Sequence, residues 1–155
     1  MTEASTPVGG TAAGRTFSVP QMLSLIVGAL FLLVGILGFI PGITTNYSSM
    51  TFASHDSGAL LLGVFSVSTL HNLVHLVFGV AGLAAARTAT ASVGFLLVGG
   101  VIYLVLWLYG LLIDQGSAAN FVPINTADNW LHLLLGAGMI ALGVVLSRRR
   151  VHARI

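Results

Sequence analysis

The chain has 155 residues, 56% of them hydrophobic and 6% charged, with a formal net charge of +2. A soluble domain carries about a quarter charged residues, so most of this surface is not made for water, and the length admits one domain or a handful of membrane spans. Cysteine is absent, which excludes disulfides, thiolate metal sites and a cysteine nucleophile, and the few charges cluster at the ends of apolar runs, which gives nucleic acid no basic face to bind.

Residues 1–18, "MTEASTPVGGTAAGRTFS", are small, polar and rich in glycine, and read as a disordered tail on the cytoplasmic side. The apolar run that follows, residues 22–40, has no charge and is longer than the core of a usual signal peptide; no A-x-A-type cleavage site follows it. It is expected to be a retained span. Three further runs, residues 69–86, 93–113 and 126–147, approach or reach the roughly 20 residues needed to cross a bilayer core as helix. None alternates with a period of two, so a barrel is excluded. The second run is marginal at its polar end, where "GALLLGVF" (residues 58–65) either extends the helix or lies along the membrane interface. Residues 148–155 form a basic tail.

The arginines orient these spans. Arg15 precedes the first, Arg87 follows the second, and Arg148, Arg149, Arg150 and Arg154 follow the fourth, while Asp56, Asp114 and Asp128 fall at the opposite ends. The positive-inside rule then puts both termini in the cytoplasm, in a plasma (bacterial inner) membrane, with the loops 41–68 and 114–125 outside. Trp107, Tyr109 and Trp130 lie toward the outer ends of their spans, as an aromatic belt would.

Two stretches carry the polar residues. "VSTLHNLVHLVFG" (residues 67–79) aligns with "INTADNWLHLLLG" (residues 124–136), pairing Thr69 with Thr126, Asn72 with Asn129, His75 with His132 and Gly79 with Gly136. Upstream, "GALFLLV" (residues 28–34) aligns loosely with "GGVIYLV" (residues 99–105). The fold expected is an all-α integral membrane four-helix bundle over residues 19–147, built as two tandem, pseudo-repeated helical hairpins that run parallel about an axis along the membrane normal. In the second half "NTAD" places Asn125 as helix N-cap with Asp128 reaching back from the third helical position. Ser68 and His71 hold the matching places in the first.

Spacing of four puts His71 and His75 on one helix face, and Asp128 and His132 on one face of another. Small residues trail below them: Gly79, Gly82 and Ala86 in one helix, Gly136 and Gly143 in the other. Read structurally, the small stripes let helices pack closely and the polar groups hydrogen-bond between them. Read chemically, His71, His75, Asp128 and His132 form a ligand set for a transition metal, zinc or copper, with Asn72 or Asn129 orienting the rings. Haem held between His75 and His132 ranks behind this, because no arginine or lysine lies near to meet its propionates. An outward pH sensor is a further use of imidazole; a through-path for ions is disfavoured by the unbroken apolar inner halves. No G-x-S-x-G turn or phosphate-cradling loop supports a hydrolase or nucleotide enzyme.

The strings "GFIPGIT", "HNLVHLVFGVAGLAAAR", "YLVLWLYGLLID" and "ANFVPINTADNWLHLLLGAGMIALG" resemble a family of small four-span membrane proteins common in actinobacteria, catalogued as a domain of unknown function. The resemblance covers nearly the whole chain after residue 20. It implies a bacterial inner membrane and four helices, and transfers no activity. The function expected is therefore that of a small, non-enzymatic membrane protein that packs with itself or a membrane complex, the lipid bilayer being its constant partner. The alternative is a metal- or haem-binding redox or sensor protein using the histidine cluster.

Overall fold

The structure, a computed structural model, describes residues 16–152, with side chains as far as Arg148. Most of the expected N-terminal tail and residues 153–155 lie outside the described residues. Four helices make up the bulk of the molecule: α1 (Val19–Leu37), α2 (Thr69–Ala85), α3 (Ala89–Leu112) and α4 (Thr126–His152). The last of these carries on through residues 148–152, which the sequence reading set apart as a tail.

Local chemistry starts and stops each helix. The Ser18 N–H donates to Gln21 Oε1 at 3.1 Å, with Pro20 in the first turn of α1, where a missing N–H does no harm. Thr88 Oγ1 accepts from Ala91 N at 3.1 Å and opens α3 only a few residues after α2 ends. Gln21 Nε2 reaches across to donate to the carbonyls of Ala86 and Arg87, at 2.9 and 3.2 Å. The start of α1 thus satisfies the free carbonyls at the end of α2, and both lie at one end of the molecule.

Helices α1, α3 and α4 are long and apolar enough to cross a membrane; α2, at 17 residues, is shorter. It still extends about 26 Å at helical rise. Large apolar side chains face outward all round: Val77 is 67% exposed, Val98 62% and Leu134 69%. Meanwhile Ser24, Asn72, Ser92 and Asn129 are buried. Grease outside and polar groups within reverse the order of a soluble domain, and only lipid relieves the exposed faces. The chain is a membrane protein.

The helices pack as two hairpins, α1 on α2 and α3 on α4, with α1 and α3 meeting between them. Close approach rests on glycines. A Cβ on Gly28 would stand 3.0 Å from Gly79 O and 2.9 Å from Leu83 N; one on Gly100 would stand 2.9 Å from both Gly136 O and Ile140 N. Gly79 packs on Leu32, and Gly136 packs on Leu104. The glycine whose contacts match those of Gly28 is therefore Gly100, one residue beyond the Gly99 chosen by sequence alignment. Nearer the other end, the carboxamide oxygen of Asn72 occupies the place of a Cβ on Gly38, and that of Asn129 the place of a Cβ on Gly110. Phe31, Val93, Leu96, Tyr103, Met139 and Leu146 form the core between the hairpins.

Residues 58–65 do not extend α2, one of the two expectations for them; they belong to the long connection between α1 and α2. It folds into a small antiparallel sheet, β1 (Thr44–Thr45), β2 (Leu60–Leu61) and β3 (Phe65–Ser66), in that spatial order. Leu62 and Gly63, both at positive φ (54° and 71°), turn the chain between β2 and β3, and Val64 N donates to Leu61 O at 3.1 Å. That is the geometry of a tight hairpin turn, and an all-apolar run hid it from periodicity. Ala59, Leu61 and Val67 bury against Val34 and Leu37 of α1, so the sheet caps the loop end of the first hairpin.

Candidate functional site

At that loop end the polar residues gather. Ser68 Oγ accepts from His71 N at 3.1 Å, capping α2 as the sequence reading expected. At the start of α4, Asn125 Oδ1 accepts from Asp128 N (3.0 Å), and Asp128 Oδ2 accepts from Asn125 N (2.9 Å), a reciprocal capping box. The same carboxylate oxygen accepts from Ser66 N at 3.0 Å, and Asn125 Nδ2 donates to Val64 O at 2.7 Å. Asp128 thereby ties strand β3 of the first loop to the second hairpin.

The two imidazoles of α2 lie against each other one turn apart, His71 and His75 having ring centroids 4.2 Å apart and planes tilted by 45°. His75 Nδ1 lies 3.0 Å from His71 O, which can only accept, so Nδ1 carries the proton and Nε2 of the neutral ring is an acceptor. Tyr103 of α3 donates its hydroxyl to that Nε2 at 3.4 Å. Tyr103 also packs edge-on against His132 of α4, with centroids 5.2 Å apart, and lies tilted by 30° against Phe31 of α1 at 5.3 Å. Phe31 in turn packs edge-on to His75 at 5.7 Å. An aromatic bridge across all four helices thus floors the site.

Above that floor the hairpins diverge and leave two cavities, both lined by His71, His75, Tyr103 and His132. One, of about 380 Å³, opens between α2 and α3 beneath the loop at Phe121 to Ile124. The other, of about 200 Å³, lies on the opposite side against Leu30, Leu33 and Leu37 of α1 and Leu131 of α4, and includes Asp128. His71 and His132 are buried, 7% and 5% exposed, and the Nδ1 atom of each meets no hydrogen-bond partner. Asn72 lies beside His71, with its Nδ2 toward Met50 Sδ at 3.8 Å.

All four residues of the expected ligand set therefore line one cavity. Among the described residues, however, no three His, Asp or Glu side chains stand where they could hold a metal ion together. The Asp128 oxygen that faces the backbone serves two N–H groups, and the His75 Nε2 that axial haem ligation needs is met by Tyr103. Sequence reasoning missed Tyr103 and Phe31. A tyrosine in the middle of an apolar run was the available signal, since a buried hydroxyl needs a partner. The small stripes let the helices pack closely, as expected: Gly79, Gly82, Gly136 and Gly143 each abut a neighbouring helix, whereas Gly94 and Gly138 have open space.

Fold and site together define a helical membrane protein with a buried histidine chamber at its loop end. The chain belongs to the family described as a domain of unknown function (DUF4383), whose model matches residues 21–145. The resemblance carried by its motifs is thus correct as to family. No curated protein and no solved structure matches it.

Proposed function

We propose that this is a four-span protein of a bacterial plasma membrane, made of two pseudo-repeated hairpins, whose chamber binds a small lipid-soluble molecule without chemical turnover. The pairing of contacts supports the repeat. Gly28 with Gly79, Leu32 with Gly79 and Gly38 with Asn72 recur, at constant offset, as Gly100 with Gly136, Leu104 with Gly136 and Gly110 with Asn129. Phe31 and Tyr103 correspond under the same shift and touch each other, so the pseudo-twofold axis passes between them. The arginine distribution supports the orientation, with Arg87 and both termini cytoplasmic and the chamber in the outer leaflet.

The observation that carries the binding function is the larger cavity itself, about 380 Å³, apolar and lined by side chains of both hairpins, His71 and His75 from one and Tyr103 and His132 from the other. An apolar occupant gains about 25 cal/mol for each Å² of apolar surface it buries there. The larger cavity also falls within the roughly 300–1,000 Å³ of ligand pockets. Packing with a second copy or a membrane complex would have to use faces other than the glycine stripes, which the hairpins occupy. Small molecules extracted from protein purified in mild detergent should include one that co-purifies in stoichiometric amount and is lost from the His71→Ala, His132→Ala double variant. A preparation of folded protein carrying only bulk lipid, equal in both, would refute the binding function. Orientation is tested separately, since the chain lacks cysteine: Gly116→Cys should react with a membrane-impermeant maleimide in intact cells and Arg87→Cys should not. The reverse pattern inverts the protein.

A further inference from the structure

Resting on the four-span arrangement and not on the binding function, we infer that the turn between β2 and β3, Leu62 to Val64, is a wedge in contact with lipid. Its apolar side chains lie at the head-group boundary of the leaflet on the loop side, against the outward faces of α1 and α4. Residues 57–70 carry no charged side chain, whereas the stretch before them has Asp56 and the second loop has Asp114. Leu62 and Val64 are 62% and 49% exposed. Leu62 also stands at φ 54°, a left-handed conformation that costs a non-glycine residue about 1–2 kcal/mol and that hairpins ordinarily give to Asn, Asp or Gly. A leucine held there with its side chain outward neither fills a core nor eases the turn. Contact with lipid accounts for it.

Position and backbone both fit that place. Val64 O accepts from Asn125 Nδ2 at 2.7 Å, and Ser66 N donates to Asp128 Oδ2 at 3.0 Å, which holds the hairpin level with the first turn of α4. Trp130, exposed about one turn further along α4, belongs to the belt that aromatic rings form at a membrane boundary. Leu62 borders the smaller cavity together with Leu30, Leu33 and Leu131. Those three are exposed on α1 and α4 and lie roughly 6–10 Å in from the loop ends of their helices at helical rise. The turn thus continues the surface that lipid covers. Non-helical backbone enters apolar surroundings only when its polar groups are paired within the protein. The three N–H groups of this turn are: Leu62 N donates to Ile43 O at 2.9 Å, Gly63 N to Leu60 O at 3.2 Å and Val64 N to Leu61 O at 3.1 Å.

The test places single spin labels on the full chain in lipid nanodiscs, through Leu62→Cys, Val64→Cys, Asp56→Cys and Leu134→Cys in a protein that has no cysteine of its own. Collision of each label with oxygen, which concentrates among acyl chains, is compared with collision with a water-soluble nickel chelate. The label at position 56 should meet mainly the chelate and the label at 134 mainly oxygen. Labels at 62 and 64 should be several-fold less accessible to the chelate than the label at 56, while staying open to oxygen. Chelate accessibility at 62 and 64 equal to that at 56 overturns the wedge. Protection of both from either reagent overturns it too, since protein and not lipid would then cover them. Two labelled turn positions keep the outcome independent of how well either one tolerates the change. A label at 134 that meets the chelate as freely as the one at 56 overturns the four-span arrangement, and the wedge with it.

Discussion

The first hairpin and the second are alike where backbones touch and different where they face the chamber. Along the contact seam, Gly28, Leu32 and Gly38 meet α2 as Gly100, Leu104 and Gly110 meet α4. At the chamber, His71 stands where the second hairpin has Asp128, and Phe31 where it has Tyr103. The connections diverge too, a three-stranded sheet in one and a short loop pinned by Asn120 in the other, whose Oδ1 accepts from Ile124 N at 2.9 Å. The match along the seam is partial: at the same offsets Gly82, pressed against Gly28, has Met139 as its counterpart, and Gly35, pressed against the Asn72 carbonyl, has Trp107.

The strongest way to break this comparison is to attack the seam in both halves. Gly38→Ala and Gly110→Ala each place a methyl where an asparagine oxygen now sits, and overpacking of this kind costs about 1–3 kcal/mol. Reversible unfolding in mixed micelles should show losses of similar size in the two variants. A large loss in one and none in the other would mean that the halves are not equivalent. Next comes the asymmetric pair. Asp128→Ala removes the acceptor of Asn125 N and Ser66 N and should cost about 1–2 kcal/mol, as loss of a helix cap does. His71→Ala, at the matching position, removes a side chain whose Nδ1 is unpartnered, and should change stability by less than about 1 kcal/mol. Equal losses would contradict the division of roles drawn here.

A smaller effect tests the arginine end. Ser24 Oγ donates to Gly82 O at 2.8 Å inside the first hairpin, whereas Leu96 holds the equivalent place in the second. Ser24→Ala should therefore cost about 1 kcal/mol, the worth of one hydrogen bond between membrane helices; no measurable loss would show that bond to be incidental. The smallest effect sharpens the first. Gly94→Ala and Gly138→Ala meet open space, and should leave stability unchanged or raise it by up to about 1 kcal/mol, since alanine is the better helix former. Destabilisation there would reveal a contact with another molecule at those faces.

Much of this was legible one residue type at a time. The continuous apolar runs gave helices, because a span must satisfy every backbone group internally. The Asn125 and Ser68 caps were readable because capping is local, acting within a turn of the chain. The alignment of Asn72 with Asn129 and of His75 with His132 was readable because such residues are rare in apolar helices. The slip from Gly100 to Gly99 shows the limit: in "GGVIY" either glycine fits a string, and only the partner helix decides which one is pressed. The sheet over residues 44–66 was missed for a related reason. Its strands are two residues long and its turn runs through an apolar leucine at positive φ, so no period existed to detect.

What the sequence by itself determined was the membrane, the helices, their caps and the two polar clusters, all set by composition and by interactions within a few residues. What only the tertiary structure decided was that the glycines are used inside the hairpins, that Tyr103 and Phe31 bridge the halves, and that His71 and His132 line common cavities. Those facts depend on the separation of helices far apart in the chain. That separation is fixed by which backbone atoms a glycine lets through, and no local pattern records it.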